Sequence, residues 1–384
     1  MDLGKNSQNT AIPQFKHHYI DAAPEGMCYA QTVLADVDHD GLPEFIVGRA
    51  YGDIYWYDYE GPDKWTRYLL GVNSPSDVGA TAYDVDGDGW VDFIAGGAWY
   101  RNSRDPRNTP FERFVFDPDL TAVHDVVLAD LDGDGKLEVI TMSDRSNLRW
   151  YRIPQDPTQL WEQHDIGPSI HQGVCVGDID GDGDLDIVRS DIWFENINGD
   201  ATVWVEHPIA HFGSDSGWQE NATLTYICDM NGDGYNDIVV SEAEISGARI
   251  MWMENIDGKG LTWKKHLLPQ GDDDARGAYH SLYVGDLDGD GDYDIFSCEM
   301  EEVPGDRPPR WFIWENVDGK GGEWIEHVIF DSALGGHGAL MGDIDGDGDL
   351  DICSKIWKVR PGQKNGNGGQ MHIDFLENIS PRIK

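Results

Sequence analysis

The chain has 384 residues, 71 of them Asp or Glu and 28 Lys or Arg, for a formal net charge of −43. That balance excludes a nucleic-acid binder or a protein drawn to anionic lipid, because both need cationic surface. Hydrophobic residues make up 40% and aromatics 11%, enough for a real core, yet no apolar run approaches the roughly 20 residues of a membrane span.

In chain order, residues 1–14 read as a polar tail without an apolar leader. Phe15-Lys16-His17-His18-Tyr19-Ile20 then matches a strand pattern that returns later as Trp-x-x-His-x-Ile/Leu, beginning at Trp161, Trp204, Trp263 and Trp324. Next comes the first of seven acidic loops, with Asp36, Asp38, Asp40 and Glu44 at its positions 1, 3, 5 and 9. The second carries Asp84, Asp86, Asp88 and Asp92, the third Asp130, Asp132, Asp134 and Glu138, and the fourth Asp178, Asp180, Asp182 and Asp186. The fifth has Asp229, Asn231, Asp233 and Asp237, the sixth Asp286, Asp288, Asp290 and Asp294, and the seventh Asp343, Asp345, Asp347 and Asp351. Their first residues lie 46–57 positions apart, a period that signals a propeller or solenoid.

Each repeat has one internal order. An apolar strand enters the acidic loop and a second leaves it. A third carries an aromatic pair such as Trp56-Tyr57 or Trp99-Tyr100 and later ends in Glu-Asn, as at Glu254-Asn255. The Trp-x-x-His strand is the fourth. Four short antiparallel strands with glycine turns and no helical period describe a propeller blade. The last repeat supplies three strands and stops, so residues 15–20 are expected to complete it and remove the open sheet edges. The expected fold is all-β, a single seven-bladed β-propeller of four-stranded blades over residues 15–380.

In the loop pattern D-x-[DN]-x-D-G-x-x-[DE], side chains at positions 1, 3 and 5 converge and the acid at position 9 completes an oxygen cage suited to Ca²⁺. On these loops the chain resembles the FG-GAP/VCBS repeats of integrin α-subunit propellers. The resemblance implies the propeller fold and structural calcium; it does not fix a function.

Residues outside the repeat are candidates for chemistry. His18, His164, His207, His266 and His327 share one fourth-strand position and are expected to pack within blades. Six residues before each loop, where the innermost strand begins beside the axis, stand Ala30, Val78, His124, Gln172, Thr223, His280 and His337. His124, Gln172, His280 and His337 are candidate ligands for an axial Zn²⁺, Mn²⁺ or Mg²⁺; the alternative is that they fill the channel mouth. Past the second strands lie Arg49, Asp144, Arg189, Glu242, Glu244, Glu299 and Lys355. His171, next to Gln172, is the expected base, Arg49 or Arg189 the expected charge-neutralising group, Lys355 a further catalytic candidate, and Trp218, Trp357, Glu242 and Glu299 the expected sugar-binding groups.

This layout loosely resembles the propeller domain of aldos-2-ulose dehydratases, the anhydrofructose dehydratase-like enzymes. The resulting expectation is a carbon–oxygen lyase performing metal-assisted β-elimination on a keto-sugar or uronide at an axial pocket. A calcium-dependent lectin is the alternative, and it would repeat its binding residues in every blade. Calcium loading argues for an extracellular or periplasmic setting, with any leader absent from this sequence.

Overall fold

The computed structural model describes residues 12–209, 222–272, 275–300, 303–304, 307–332, 334–359 and 369–381. Its strands form seven four-stranded antiparallel sheets. Blade 1 runs Tyr29–Ala35, Glu44–Arg49, Ile54–Gly61 and Lys64–Gly71 in spatial as well as sequence order. Blades 2 to 6 repeat this meander, with innermost strands Ala80–Tyr83, Val123–Ala129, Val174–Gly177, Thr223–Cys228 and Tyr283–Gly285. Blade 7 takes Leu340–Gly342, Asp351–Lys355 and Ile373–Asn378 from the end of the chain and Phe15–Asp21 from its beginning. Phe15 pairs opposite Asn378 and His18 opposite Phe375, so the expected ring closure is observed. No helix among the described residues is long and apolar enough to cross a membrane.

The core lies between blades. Ile46, Trp56 and Leu70 of blade 1 pack with Phe93, Ala95 and Tyr100 of blade 2, and Trp252 of blade 5 packs with Ile295, Phe312 and Trp314 of blade 6. Polar groups join the same seams. The indole of Trp193 donates to the Gly260 carbonyl of the next blade at 2.9 Å, and Trp263 of that blade donates to the same oxygen at 2.8 Å. Trp150 and Trp204 share Ala201 in this way, and Trp252 and Trp324 share Gly321.

The asparagine that ends the third strand forms a second latch. Asn255 Nδ2 donates to Ile179 O of the preceding blade and to Asn236 O of its own, while its Oδ1 accepts from Gly260 N. Asn102 and Asn196 reach back to Val37 O and Leu131 O in the same manner. Each of these asparagines is buried, and a buried group left without its partner costs about 1–3 kcal/mol. Asn255→Leu strands several at once, so a loss of more than about 2 kcal/mol is expected from urea unfolding. An unchanged midpoint would remove the latch from the account of stability.

The fourth-strand histidines are part of this packing. His164, His207 and His266 stack on Trp150, Trp193 and Trp252 at centroid distances of 4.0, 4.5 and 4.1 Å. His207, His266 and His327 also hydrogen-bond Glu195, Glu254 and Glu315 at 2.6–2.7 Å. These rings are committed within blades and do not point to a common site.

Candidate functional site

The acidic loops and the axial residues sit at opposite ends of the innermost strands, and therefore on opposite faces of the ring. In every loop the position-1 Asp accepts from the amide of the glycine at position 6, as in Gly41 N to Asp36 and Gly348 N to Asp343. That glycine has φ between +86° and +100° in all seven loops, a region open mainly to residues without a Cβ. The position-9 acid is nearly fully buried and accepts from the amide at position 2, from Val37 in loop 1 to Ile344 in loop 7. In blades 2, 4, 5, 6 and 7 it also accepts from the latch asparagine.

These bonds occupy one side of each carboxylate. On the other side, Oδ1 of Asp36, Asp130 and Asp343 is buried without a hydrogen-bond partner among the described residues. In the first four loops, acids at positions 1, 3 and 9 bring an oxygen each within 4.8 Å of one another. Burial, opposed by the amide donors and reinforced by neighbouring loop carboxylates, pushes Glu44 up to about 9. Asp92, Glu138, Asp186, Asp237, Asp294 and Asp351 are pushed up to about 7, burial again leading. Orphan anionic oxygens in a hard-oxygen cage fit a dication of the calcium type.

On the other face, Ala30, Val78, His124, Gln172, His280 and Gly338 help to line an axial cavity of about 250 Å³. The imidazoles meet there as two pairs. His124 and His171 touch with centroids 3.6 Å apart at 46°. His280 and His337 stack at 4.1 Å and 21°, and His337 in turn faces Trp357 at 5.7 Å. Each pair carries a carboxylate: His171 Nδ1 lies 2.9 Å from Asp144, and His280 Nε2 lies 3.2 Å from Glu244. His124 Nε2 also comes within 3.5 Å of Asp77 and 3.8 Å of Asp144.

The electrostatics tie the pairs together. Burial raises the Glu244 carboxyl, but the His280 hydrogen bond and the charges of His280, His171 and His124 outweigh it and hold the group below its ordinary range. Asp125, on the next residue, is pushed up to about 6 by burial, with Gly173 N–H, His124 and His280 opposing. His337 is driven well below the usual imidazole value by burial and then by Lys355, His280, His124 and Lys358. It is therefore a neutral imidazole at physiological pH.

The remaining expected groups lie in several settings. Glu242 is fully buried and accepts from Arg249 through both backbone N–H and guanidinium. Glu299 is fully buried as well, and accepts from Gly277 N, Arg310 N and Arg307. Both acids hold their own loops. Arg189 of blade 4 donates to Pro168 O in the connection from blade 3 and to Asp191, and Arg49 lies half-buried in blade 1, close against Gly26. Lys355, fully buried, adjoins the axis: a Cβ on the cavity-lining Gly338 would sit 3.8 Å from its Nζ. Thr223 is buried at the start of its strand, and Trp218 lies outside the described residues.

Tyr51 escaped the sequence reading. Its ring is 54% exposed, its φ is +54°, and the charges acting on its hydroxyl include Asp77, Arg145 and Asp144. A bulky residue held at positive φ is a strained arrangement that tends to mark functional surface. The only available signal was its place in the first 2–3 connection.

A family model described as FG-GAP-like repeat matches residues 36–95, 84–141, 130–188, 229–297 and 294–354. No curated protein matches the sequence. Among solved structures, a lectin of Agrocybe aegerita that recognises non-reducing terminal N-acetylglucosamine is similar at 19% identity and TM-score 0.53, over 79% of this chain and 81% of that one. The V. cholerae biofilm matrix protein Bap1 is similar at 11% identity and TM-score 0.54, over 96% and 92%. BBS1N, crystallised in complex with ARL6DN, is similar at 10% identity and TM-score 0.55, over 97% and 98%.

Proposed function

This chain belongs to the FG-GAP-like repeat family, and from that premise we propose that its axial face binds a polyhydroxylated carbohydrate and carries out β-elimination on it, while the acidic loops hold Ca²⁺. Propellers serve many functions, so the reading rests on the site and not on the fold. The observation that carries it is the pairing of four imidazoles, two of them with carboxylates, beside the axis, with His124 and His280 lining the cavity, whereas the fourth-strand His164, His207, His266 and His327 are taken up by blade packing.

His280 is the base in this reading. It lines the cavity, Glu244 orients its ring through Nε2, and its Nδ1 has no hydrogen-bond partner among the described residues. His171, the residue expected from sequence, lies on the flank against His124 and Asp144. His280 takes the proton from the carbon next to a carbonyl or carboxylate. As the C=C bond forms, the bond to the β-oxygen breaks, and that oxygen leaves carrying the proton His280 returns to it. The His124–His171–Asp144 side polarises the carbonyl, and Lys355 offsets the developing enolate charge. Tyr51 and Trp357 offer apolar ring faces at the rim for a sugar.

The test is to incubate the protein with keto-sugars and uronides and follow new ultraviolet absorbance from an enone or unsaturated uronide. Absorbance that grows with enzyme concentration supports elimination. Saturable sugar binding without any product would favour the second reading, a lectin, for which the Agrocybe aegerita relative is the support.

A further inference from the structure

We infer that His124, His171 and Asp144 form the seat of one divalent transition-metal ion, distinct from the acidic loops. A donor nitrogen from each imidazole and a carboxylate oxygen lie within 4.8 Å of one another. Two rings tilted at 46° and only 3.6 Å apart bring their nitrogens toward a common point, which simple stacking does not require. The independent observation is His124 itself. It is 7% exposed, and neither Nδ1 nor Nε2 has a hydrogen-bond partner among the described residues.

A buried imidazole with a hydrogen bond to neither nitrogen is costly, and a metal ion beside it, with Asp77 and Asp144 near Nε2 at 3.5 and 3.8 Å, removes the cost. Asp144 bridges the set: one oxygen lies 2.9 Å from His171 Nδ1 and the other 3.8 Å from His124 Nε2. Two imidazoles and one carboxylate give a mixed N/O donor set. Such a set suits Zn²⁺, Fe²⁺ or Co²⁺ better than Ca²⁺, which takes six or more oxygens. Three protein ligands also leave coordination positions open, and His124 lines the axial cavity into which they would face. The ligands come from blade 3 and the connection that precedes blade 4, so the seat forms only once those blades are docked. It stands on its own geometry; for the elimination reading it would supply the group that polarises the carbonyl.

The experiment uses the full chain, stripped with chelator, resupplied with millimolar Ca²⁺ to fill the acidic loops, and titrated with Co²⁺. One equivalent of Co²⁺ with visible d–d absorbance is expected. His171→Ala and Asp144→Asn should each weaken binding by more than about 100-fold, with far-ultraviolet circular dichroism unchanged. His266→Ala, which removes a blade-packing imidazole, should leave the titration as it was. Absence of Co²⁺ uptake in Ca²⁺-loaded protein overturns the seat. So does uptake lost in His337→Ala but kept in His171→Ala, which would move the ion to the His280–His337 side. Elimination that proceeds without any Co²⁺ uptake removes the metal and keeps the proposed reaction; uptake without turnover does the reverse.

Discussion

His280→Ala should slow sugar elimination roughly 10²–10⁴-fold, the range lost with a positioned general base, while the protein stays folded. The ring lies at the cavity, is oriented by Glu244 at 3.2 Å and stacks on His337, and it is not a member of the hydrophobic clusters that join blades 5, 6 and 7. Steady-state kinetics beside a melting curve separates chemistry from packing. The contrasting variant is His266→Ala, which removes a ring stacked on Trp252 and bonded to Glu254. It should cost about 1–2 kcal/mol of stability and leave turnover intact. If the two variants exchanged these signatures, the axial reading would be wrong and the histidines there would be filling space.

The second large effect concerns the loops. Removing Ca²⁺ with chelator should lower the melting temperature by tens of degrees. One site at 100 times its dissociation constant contributes about 2.7 kcal/mol, seven loops carry the pattern, and each kilocalorie is worth about 2 °C in a chain of this size. The chelated protein should also respond to pH in a specific direction. Its position-9 acids are held near 7, and Glu44 near 9, in the folded state, whereas unfolded carboxyls titrate near 4. Between those values the folded state binds more protons, so stability falls as pH rises from about 4 to 7. Calcium, which needs the ionised form, should flatten or reverse that slope. Scanning calorimetry from pH 5 to 8 with and without Ca²⁺ reads both effects. A melting temperature indifferent to chelator would leave the loops as hydrogen-bonded turns.

The blade plan was legible because it repeats: Asp-x-Asp/Asn-x-Asp-Gly marks the same turn seven times, and an orphan fourth strand at Phe15 leaves one way to close the ring. Counting back from each loop also brought His124, Gln172 and His280 to one cavity, since equivalent positions in a ring face one axis. Period alone does not tell which neighbours touch. His171 and Asp144 lie in connections whose course depends on local turns, including the positive φ of Ala122, so their meeting with His124 had no sequence signature. The same limit explains Glu242 and Glu299. Glu242 ends a second strand and Glu299 follows one, and both read as rim acids, but whether a carboxylate turns outward or folds back depends on Arg249, Gly277 and Arg307. The third-strand asparagine was visible as a repeated letter, but its reach to a carbonyl one blade back is a tertiary fact.

The pairing of Phe15–Asp21 with Ile373–Asn378 sets a timetable for biosynthesis. Phe15–Asp21 leaves the ribosome ahead of the other propeller strands yet docks last, because its partner Ile373–Asn378 is the last of those strands to be made. Throughout elongation an amphipathic ribbon must wait beside growing, half-sealed blades whose outer edges could accept it out of turn. Holding that ribbon back until residue 378 is available is the kinetic hazard this closure carries.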